Sequence, residues 1–226
     1  MAPPPPVVIL DDSLWFPDPS AAPSRGPLAG LVAMGGDLSV DRLLLAYRTG
    51  IFPWSVNPLT WWSPDPRALF ELDRFHIPKS LHRTLRLQPF TVTRDTAFDA
   101  VIRGCARSAP GRRSTWISPE FIQAYGALHR AGFAHSVECW AGNSLVGGIY
   151  GVAAGGLFAG ESMFHRATDA SKVALCHLVD HLRQRGFALF DIQMLTPVTR
   201  RLGASEIPRH DYLRRLSHAI DLDCAF

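Results

Sequence analysis

Apolar residues recur at helical spacing in several parts of the chain. In the clearest case, Phe98, Val101, Ile102 and Cys105 stand at i, i+3, i+4 and i+7, which places them on one face of a helix. Residues that favour the N-cap position precede five such segments, and a glycine follows most of them. The predicted helices begin after Ser39, Asp95, Ser118, Asp169 and Thr196, and a last helix carries Tyr212 and Leu216.

Strand patterns occupy the second half of the chain. Three apolar segments separated by glycine turns predict a meander, and Phe187–Gln193 predicts a further strand. The charge-free run Cys139–Gly160 is long enough to span a bilayer, but its seven glycines favour buried hairpin strands. The order of helix, three strands, helix and strand predicts an α+β fold with a mainly antiparallel sheet flanked by helices. The meander strands are predicted at Ala134–Trp140, Ser144–Val152 and Leu157–Phe164.

Prolines and aromatic residues separate the first part of the chain from the rest. Residues 1–24 are rich in proline, and a proline-punctuated aromatic stretch runs from Ile51 to Arg67. Because proline fixes extended and turn geometry, this stretch marks a domain junction. We expect a small N-terminal domain over residues 1–66 and a larger domain over residues 67–226. The chain has 226 residues, 47% hydrophobic and 19% charged, which excludes disorder and a coiled coil.

The net charge is small over the whole chain and uneven along it. The formal charge of +3 is too small to indicate a nucleic-acid-binding protein. By segment it is −3 over residues 1–66, +6 over residues 67–118 and 0 over residues 119–226. A basic helix face suits a phosphate backbone, although a solvated surface helix gives the same pattern. In the positive segment such a face, at i, i+4 and i+7, is formed by Lys79, Arg83 and Arg86.

The cysteines and histidines form no metal motif. The four cysteines lack the paired spacing of a zinc site. His177 and His181 are four residues apart on a predicted helix, but the glutamate of a metalloprotease helix is missing. We therefore expect no metal, and reduced thiols in the cytoplasm. No basic residue precedes Arg25, and Pro3 to Pro6 break any early apolar helix, so no signal peptide is predicted.

The strand that ends at Gln193 carries two polar side chains. Asp191 and Gln193 are two residues apart, so both are predicted to project from one face of the strand. A carboxylate and an amide at the end of an apolar strand are costly to bury unless they have partners or a function. They are candidates for a catalytic pair, and equally for a hydrogen-bonded pair that holds the turn at Thr196.

Glu161 is the one charged residue in an otherwise apolar predicted strand. The period-two alternation of a strand places Ala159 and Met163 on its face. An acid flanked by small and apolar residues can bind an amine or orient a hydroxyl group. The alternative is a structural acid paired with an arginine such as Arg166.

Four tryptophans lie on predicted loops or at the edges of elements. Indole rings in such places can stack on nucleic-acid bases. Packing in the core or at the domain junction is the commoner role of any single tryptophan. The four are Trp54, Trp61, Trp62 and Trp116.

Ten short motifs occur in an order that matches a known family. They are Gly35–Ser39, Tyr47–Trp54 (YRTGIFPW), Trp61–Arg67 (WWSPDPR), Thr115–Ile117, Ala134–Ser136, Leu145–Val152 (LVGGIYGV), Gly160–Phe164 (GESMF), Ala170–Lys172, Asp191–Gln193 and Leu202–Arg209 (LGASEIPR). Several of them are long and uncommon, and together they cover about residues 14–216. In these motifs the chain resembles the bacterial leucyl/phenylalanyl-tRNA–protein transferases.

This resemblance implies an activity that composition cannot show. Members of the family move Leu or Phe, and Met less well, from aminoacyl-tRNA to the α-amine of a protein that begins with Arg or Lys. The product is marked for degradation through the N-degron pathway in the cytoplasm. The implied partners are therefore aminoacyl-tRNA and such proteins, with no membrane and no cofactor. The implied fold is a small N-terminal domain followed by a C-terminal domain like that of the N-acetyltransferases.

The resemblance also assigns roles to residues by position. Asp191 and Gln193 match the family's catalytic pair, and Glu161 matches its active-site acid. The segment that meets the tRNA acceptor stem contains Lys79, Arg83 and Arg86. The implied substrate-binding residues are Tyr47, Trp54 and Trp116, the two tryptophans holding the terminal adenosine, and an apolar side-chain pocket of Ile149, Phe158, Met163, Leu178 and Phe190.

Two positions depart from the family's pattern. Ile149 stands where members often have Met, which can alter the shape of the apolar pocket. Thr196 stands where members often have Asn, and this exchanges one N-cap residue for another.

Two functions from other classes stay open on the sequence alone. One is an acyl-CoA N-acyltransferase of similar fold, because Arg183–Ala188 matches an RxxGxA pattern. That pattern must precede a helix to bind pyrophosphate, and here it is predicted to follow one. The other is a non-catalytic RNA-binding module, which would bind RNA without turnover.

Overall fold

Seven α-helices and eleven strands make up the described part of the chain. The computed structural model describes residues 7–107 and 115–226, so Pro3 to Pro6 lie outside the described residues. The helices are α1 (Val40–Arg48), α2 (Lys79–Leu87), α3 (Phe98–Ala106), α4 (Pro119–Arg130), α5 (Ala170–Gln184), α6 (Pro197–Arg201) and α7 (Arg209–Ile220). The strands are β1 (Ile9–Leu10), β2 (Leu31–Gly35), β3 (Phe52–Val56), β4 (Leu59–Trp62), β5 (Arg67–Phe70), β6 (Thr91–Arg94), β7 (Ala134–Ala141), β8 (Ser144–Ala154), β9 (Leu157–His165), β10 (Leu189–Gln193) and β11 (Ser205–Ile207).

The strands form two sheets. The small sheet has the order β1-β2-β4-β3, and the large sheet has the order β11-β5-β10-β9-β8-β7-β6. In the large sheet β9 and β10 are parallel neighbours, and the other neighbouring pairs are antiparallel. The predicted α+β class, with a small N-terminal part and a mainly antiparallel sheet flanked by helices, is confirmed. The small sheet ends at Trp62 and the large sheet begins at Arg67, while the domain boundary between residues 66 and 67 stays a prediction.

The predicted meander is confirmed in the centre of the large sheet. β7, β8 and β9 pair in sequence order. Their two turns contain Gly142 and Gly155, each with a φ of +55°, a left-handed conformation that glycine adopts without a steric penalty. No helix within residues 7–107 or 115–226 is long and apolar enough to cross a membrane.

Helices cover both faces of the large sheet and enclose two apolar cores. On one face α1, α3, α4 and α7 pack with the small sheet around a first core that includes Tyr47, Trp61 and Phe121. On the other face α2 and α5 pack over a second core that includes Leu81 and Phe190. The first core therefore joins the small sheet to the large sheet.

Three of the predicted N-caps are confirmed by hydrogen bonds. The side-chain oxygens of Ser39, Ser118 and Thr196 each accept from the backbone N–H three residues later. Each bond satisfies one of the donors that a helix leaves open at its N-terminus.

The predicted cap at Asp95 is wrong. Helix α3 follows Ala97, which makes no side-chain cap bond. The Asp95 carboxylate instead accepts from the backbone N–H of Ser136 and pairs with His135, both on β7. A partner about 40 residues away cannot be recognised from local spacing.

Asp169 is at the predicted N-cap position of α5, but the predicted cap hydrogen bond is absent. Asp169 directly precedes α5 but has a φ of +65° and makes no cap bond. Its carboxylate accepts from Lys172 Nζ at 2.6 Å and from Thr84 Oγ1 on α2 at 3.1 Å. Asp169 therefore fastens α2 to the start of α5.

Candidate active site

Glu161 lies at an irregularity in the pairing of β8 and β9. The register skips one residue there, so Glu161 has no partner on β8. Such a bulge interrupts the alternation of faces along a strand. Ala159 belongs to the first core, on the side of the Glu161 carboxylate, whereas Met163 packs against the second core. Ala159 and Met163 thus pack against different cores, while Glu161 and Met163 line one open pocket as their predicted shared face implies.

Two buried tyrosines hold the Glu161 carboxylate. Tyr47 Oη donates to Oε1 at 2.8 Å, and Tyr125 Oη donates to Oε2 at 3.1 Å. The two phenol oxygens also lie 2.5 Å apart. Either phenol can be the donor across this third contact. The alternative partner, Arg166, instead donates to the carbonyl of Leu145.

The protonation of this cluster follows from its burial. Burial raises the pKa of Glu161 from 4.5 to about 7, with a contribution from the nearby Asp191 carboxylate and against the hydrogen bonds of the two tyrosines. Burial and the charge of Glu161 raise the pKa of Tyr47 and of Tyr125 well above the ordinary value. The phenols are therefore permanent donors, and Glu161 changes its charge near neutral pH.

Asp191 is enclosed and saturated with hydrogen bonds. Its Oδ1 accepts from Arg67 Nε and from the backbone N–H of Gln193, both at 2.9 Å. Its Oδ2 accepts from Arg67 Nη2 at 2.6 Å and from Tyr212 Oη at 2.9 Å. Burial alone would lower the pKa of Arg67, but the adjacent Asp191 carboxylate holds it above its ordinary value. With four donors in place, Asp191 has no acceptor position left for a substrate.

Gln193 is fixed at both its backbone and its side chain. Its φ is +56°, a left-handed conformation that costs a residue other than glycine about 1 kcal/mol. The backbone N–H of Gln193 donates to the Asp191 carboxylate, and the side-chain Nε2 of Gln193 donates to Glu161 Oε1 at 3.2 Å. These bonds orient the amide so that Oε1 is the acceptor available to a ligand. The predicted association of Asp191 with Gln193 is present, as a bond from the backbone of one to the side chain of the other.

An open pocket of about 540 Å³ lies in front of Gln193. We call it the indole slot, because Trp54 and Trp116 line it together with Phe52, Glu161 and Gln193. Both indole rings are half-buried, so one part of each is anchored and the rest is open to a ligand. Flat aromatic surfaces of this kind can stack on a nucleic-acid base.

The other two predicted tryptophans lie outside the slot. Trp61 is fully buried, and its Nε1 donates to the carbonyl of Gly35 at 2.9 Å. Trp62 packs edge-on against Trp54 at 6.0 Å between ring centroids. Both therefore support the fold, as the alternative interpretation of the sequence allowed.

A second open pocket of about 690 Å³ adjoins the indole slot. Three of the five predicted pocket residues, Ile149, Met163 and Phe190, line it. Phe158 and Leu178 are buried behind that wall, and the Phe158 ring centroid lies 5.7 Å from that of Phe190. We call this space the apolar pocket; its other walls include Phe70, Leu175 and Thr199.

The two pockets adjoin beside the polar groups. Glu161, Ile192, Met194 and Thr196 line both of them. A ligand with a flat base at one end and an apolar side chain at the other could therefore occupy both pockets. Its connecting group would then lie next to the amide of Gln193.

The predicted basic face is present on α2. The side chains that form it are exposed and belong to Lys79, Arg83 and Arg86. Leu81, on the same helix, is buried in the second core. The helix therefore presents its positive charges to solvent and its apolar side to the protein.

Sequence reasoning missed three residues that contact the two acids. In the sequence Arg67 is only the last residue of a motif, and Tyr212 is only one residue of an apolar helix stripe. Tyr125 stands four residues after Phe121, at the spacing of ordinary core residues. The resemblance implies substrate binding for Tyr47, but its side chain is 1% exposed and contacts Glu161 from behind. Local spacing carries no signal for such long-range pairs.

The histidine pair carries no metal site in the described residues. No group of three or more His, Cys, Asp and Glu side chains within residues 7–107 and 115–226 could hold a metal ion. His181 packs edge-on against Phe226 at 4.6 Å between ring centroids. Burial lowers the pKa of both His177 and His181.

Comparison with known proteins gives one consistent relationship. Residues 69–217 match the family described as leucyl/phenylalanyl-tRNA protein transferase, and residues 36–65 match its N-terminal domain. A leucyl/phenylalanyl-tRNA–protein transferase of Syntrophobacter fumaroxidans is 53% identical over 95% of this chain and 92% of its own length. One from Anaeromyxobacter dehalogenans is 49% identical over 96% of this chain and 92% of its own length. The solved L-PGS structure from Bacillus licheniformis is 13% identical, with a TM-score of 0.40 over 69% of this chain and 52% of that chain. The chain belongs to the leucyl/phenylalanyl-tRNA–protein transferase family.

Proposed function

We propose that this protein transfers Leu or Phe, and Met less well, from aminoacyl-tRNA to the N-terminal α-amine of proteins that begin with Arg or Lys. The observation that carries the proposal is the junction of the indole slot and the apolar pocket beside Gln193. An aminoacyl-adenosine has an aromatic base, an apolar side chain and an ester between them, in the order in which these sites meet.

The donor occupies both pockets in this proposal. The terminal adenine stacks between Trp54 and Trp116 in the indole slot. The transferred side chain enters the apolar pocket between Ile149, Met163 and Phe190. This arrangement leaves the ester carbonyl near Gln193, where the acceptor amine must arrive.

Gln193 positions the attacking amine. An α-amine has a pKa near 8, roughly two units below that of a Lys side chain, so a useful fraction is neutral at pH 7. An N–H of the amine donates to Gln193 Oε1, which turns the nitrogen lone pair toward the ester carbon. The C–N bond forms, the ester C–O bond breaks, and the ribose oxygen leaves as a hydroxyl with the proton that the amine gives up. The ester is already activated, so this route uses no ATP and no cofactor.

Asp191 and Glu161 act on the two ends of Gln193. Asp191 fixes its backbone, and its four hydrogen bonds favour a positioning role over that of a general base. Glu161 accepts from the amide Nε2 and so orients Oε1 toward the amine. Glu161 also lines both pockets, where it is close to the ribose of a bound donor.

The tRNA stem and the cellular setting complete the proposal. The exposed basic face of α2 meets the phosphates of the acceptor stem through Lys79, Arg83 and Arg86. The protein works in the cytoplasm, and its products enter the N-degron pathway for degradation.

Transfer of labelled Leu from Leu-tRNA to a peptide beginning with Arg tests the proposal directly. We expect transfer that RNase abolishes, with much less transfer to a peptide beginning with Ala. Val-tRNA should be used about 10 to 100 times less well than Leu-tRNA, because a pocket for Leu or Phe gives a β-branched side chain a poor fit. Absence of labelled peptide, or equal use of Val and Leu, would refute this function.

Replacement of Gln193 tests the mechanism within the same assay. Gln193→Ala should lower kcat about 100-fold while KM for Leu-tRNA changes little, because the hydrogen-bond acceptor that orients the amine is lost and both pockets remain. Gln184→Ala, at the exposed end of α5, is the matched control and should behave as wild type. A Gln193→Ala variant with wild-type kcat would contradict the mechanism.

The two alternative functions fit the site less well. The RxxGxA segment spans the C-terminal end of α5 and the loop before β10, so a strand and not a helix follows it. Acylation of the peptide from an acyl-CoA, without tRNA, would favour the first alternative. RNA binding without any transfer would favour the second.

A further inference from the structure

Arg67 occupies the buried space behind both pockets without lining either of them. It is the first residue of β5 and is 1% exposed. Its Nε and Nη2 donate to the two oxygens of Asp191, and its Nη1 donates to the carbonyl of Gly50 at 3.0 Å. One side chain therefore connects the end of β10 to the segment that precedes β3.

The guanidinium group also contacts two aromatic rings. Its central carbon lies 5.0 Å from the ring centroid of Phe52 and 4.4 Å from that of Tyr212. Phe52 lines the indole slot, two residues before Trp54. Tyr212 donates to the same Asp191 oxygen as Arg67 Nη2. Arg67 is thus in contact with the wall of the slot and with the acid that fixes Gln193.

We propose that Arg67 is a positioning residue for the transfer reaction, holding the indole slot and the Gln193 amide in a fixed relative position. This inference rests on the proposed function, because it concerns the distance between the bound adenosine and the amide that receives the amine. Asp191 keeps Gln193 in its left-handed conformation by accepting its backbone N–H, and Arg67 keeps both oxygens of Asp191 in place. A shift of Arg67 would therefore move the amide relative to Phe52.

The planar fork of arginine is what this position requires. Arginine can donate to two carboxylate oxygens and a carbonyl in one plane while its faces lie on aromatic rings. A lysine keeps the charge but has a single ammonium group, which cannot reach all three acceptors or stack in the same way. Arg67→Lys therefore tests the geometry while it leaves the ion pair with Asp191 possible.

The decisive experiment compares Arg67→Lys with a matched variant of another buried arginine. Arg209 is 6% exposed and donates to the carbonyls of Ser63 and Ala22, away from both pockets. We expect Arg67→Lys to lower kcat for Leu transfer at least 10-fold with KM for Leu-tRNA within about 3-fold. Arg209→Lys should lower the thermal unfolding temperature but keep the wild-type kcat per folded molecule.

A double variant separates positioning from general stability. If Arg67 acts through Asp191, Arg67→Lys combined with Asp191→Asn should be no slower than Asp191→Asn alone. If the two substitutions instead lower kcat independently, so that their effects multiply in the double variant, the inference is overturned. Wild-type kcat in folded Arg67→Lys would overturn it as well, whereas a wild-type enzyme that transfers nothing would refute the proposed function itself.

A gentler variant covers the case in which Arg67→Lys does not fold. Tyr212→Phe keeps the ring under Arg67 and removes one donor from Asp191. We expect kcat to fall 2- to 5-fold with an unchanged KM for Leu-tRNA. If the lysine variant is unfolded and Tyr212→Phe has the wild-type kcat, the inference is overturned.

Discussion

Two carboxyl groups of one site stand in different electrostatic surroundings. Asp191 has an arginine against both of its oxygens, so its negative charge is compensated within the protein. Glu161 has phenols and an amide as partners, which donate hydrogen bonds but carry no positive charge. Burial of Glu161 without a directly paired cation therefore makes it a group that titrates near neutral pH.

The titration of Glu161 predicts a pH-dependent stability. Its pKa rises from 4.5 to about 7 on folding, so the folded protein binds more protons between these values than the unfolded chain. The contribution of Glu161 to stability is therefore complete below pH 4.5 and is lost as the pH rises toward 7. Glu161→Gln removes this loss. Relative to wild type, the free energy of unfolding of the variant should increase by about 1–2 kcal/mol from pH 4.5 to pH 8. Urea unfolding of both proteins at both pH values measures this change.

A matched substitution isolates this effect. Glu120→Gln changes an exposed glutamate at the start of α4 whose pKa is lowered by the hydrogen bond from the Ser118 hydroxyl, so this variant should lose stability relative to wild type from pH 4.5 to pH 8, opposite to Glu161→Gln. An equal pH response of the Glu161 and Glu120 variants would contradict a raised pKa at Glu161.

At the residue scale, the sequence revealed the polar groups of the site but not their partners. Glu161, Asp191 and Gln193 stand out because each interrupts an apolar strand, which local alternation can detect. Arg67 precedes Asp191 by 124 residues, and Tyr47 precedes Glu161 by 114 residues. Pairs so distant form only after the sheets have packed, so no local pattern contains them.

At the scale of elements, periodicity predicted helices and the meander but not the strands of the first 94 residues. The meander strands are eight to eleven residues long and are separated by glycine turns. Strands β1 to β6 have two to five residues each, and prolines lie within or beside several of them. Segments so short show too few periods for a reliable pattern, and pairing with distant strands determines their structure.

Strand β8 illustrates how an element sets the geometry of the site. A Cβ placed on Gly151 would lie 2.3 Å from the carbonyl oxygen of Ala159 on β9. Gly151 stands next to the point where the register skips Glu161. We expect Gly151→Ala to destabilise the fold by about 1–3 kcal/mol and to lower Leu transfer, because β9 must move away together with Glu161.

Helix α4 offers the control for that substitution. A Cβ on Gly126 would lie 3.4 Å from the nearest atom, the end of the Arg130 side chain. Gly126→Ala should therefore stabilise the protein by about 0.5–1 kcal/mol, since alanine favours a helix. Thermal unfolding and transfer assays on both variants check these outcomes, and a stable, fully active Gly151→Ala would contradict the role given to β8.

The exposed basic face of α2 predicts a salt-dependent contribution to tRNA binding. Replacement of Lys79, Arg83 and Arg86 by Gln should weaken tRNA binding and reduce the slope of log K against log salt by about 2, because each cation that contacts a phosphate releases a counterion. The measurement is a tRNA titration at several salt concentrations. Replacement of Arg25, Arg103 and Arg130, which are exposed outside α2, removes the same charge and should leave the slope unchanged. Equal slopes for both triple variants would mean that the α2 face is ordinary solvated surface.

At the scale of the whole molecule, the small sheet and the large sheet share one core. The first core contains Tyr47 and Trp61 from the N-terminal part together with Phe121 and Tyr212 from the rest of the chain. Arg67 and Glu161 add polar bonds between the same parts, to Gly50 and to Tyr47. The site thus exists only where the two parts meet, which a division of the sequence at residue 66 does not reveal.

Shared burial of this kind predicts a single cooperative unfolding transition. Four of the six tryptophans lie before residue 67, so the variant with Trp116→Phe and Trp140→Phe reports fluorescence from the N-terminal part alone. Far-UV circular dichroism reports mainly the large sheet and its helices. Because separation of the two parts would expose the first core, we expect the two urea transitions to coincide. An N-terminal transition lower by more than about 0.5 M urea would instead show that the small sheet opens first, and that the site can come apart without unfolding of the large sheet.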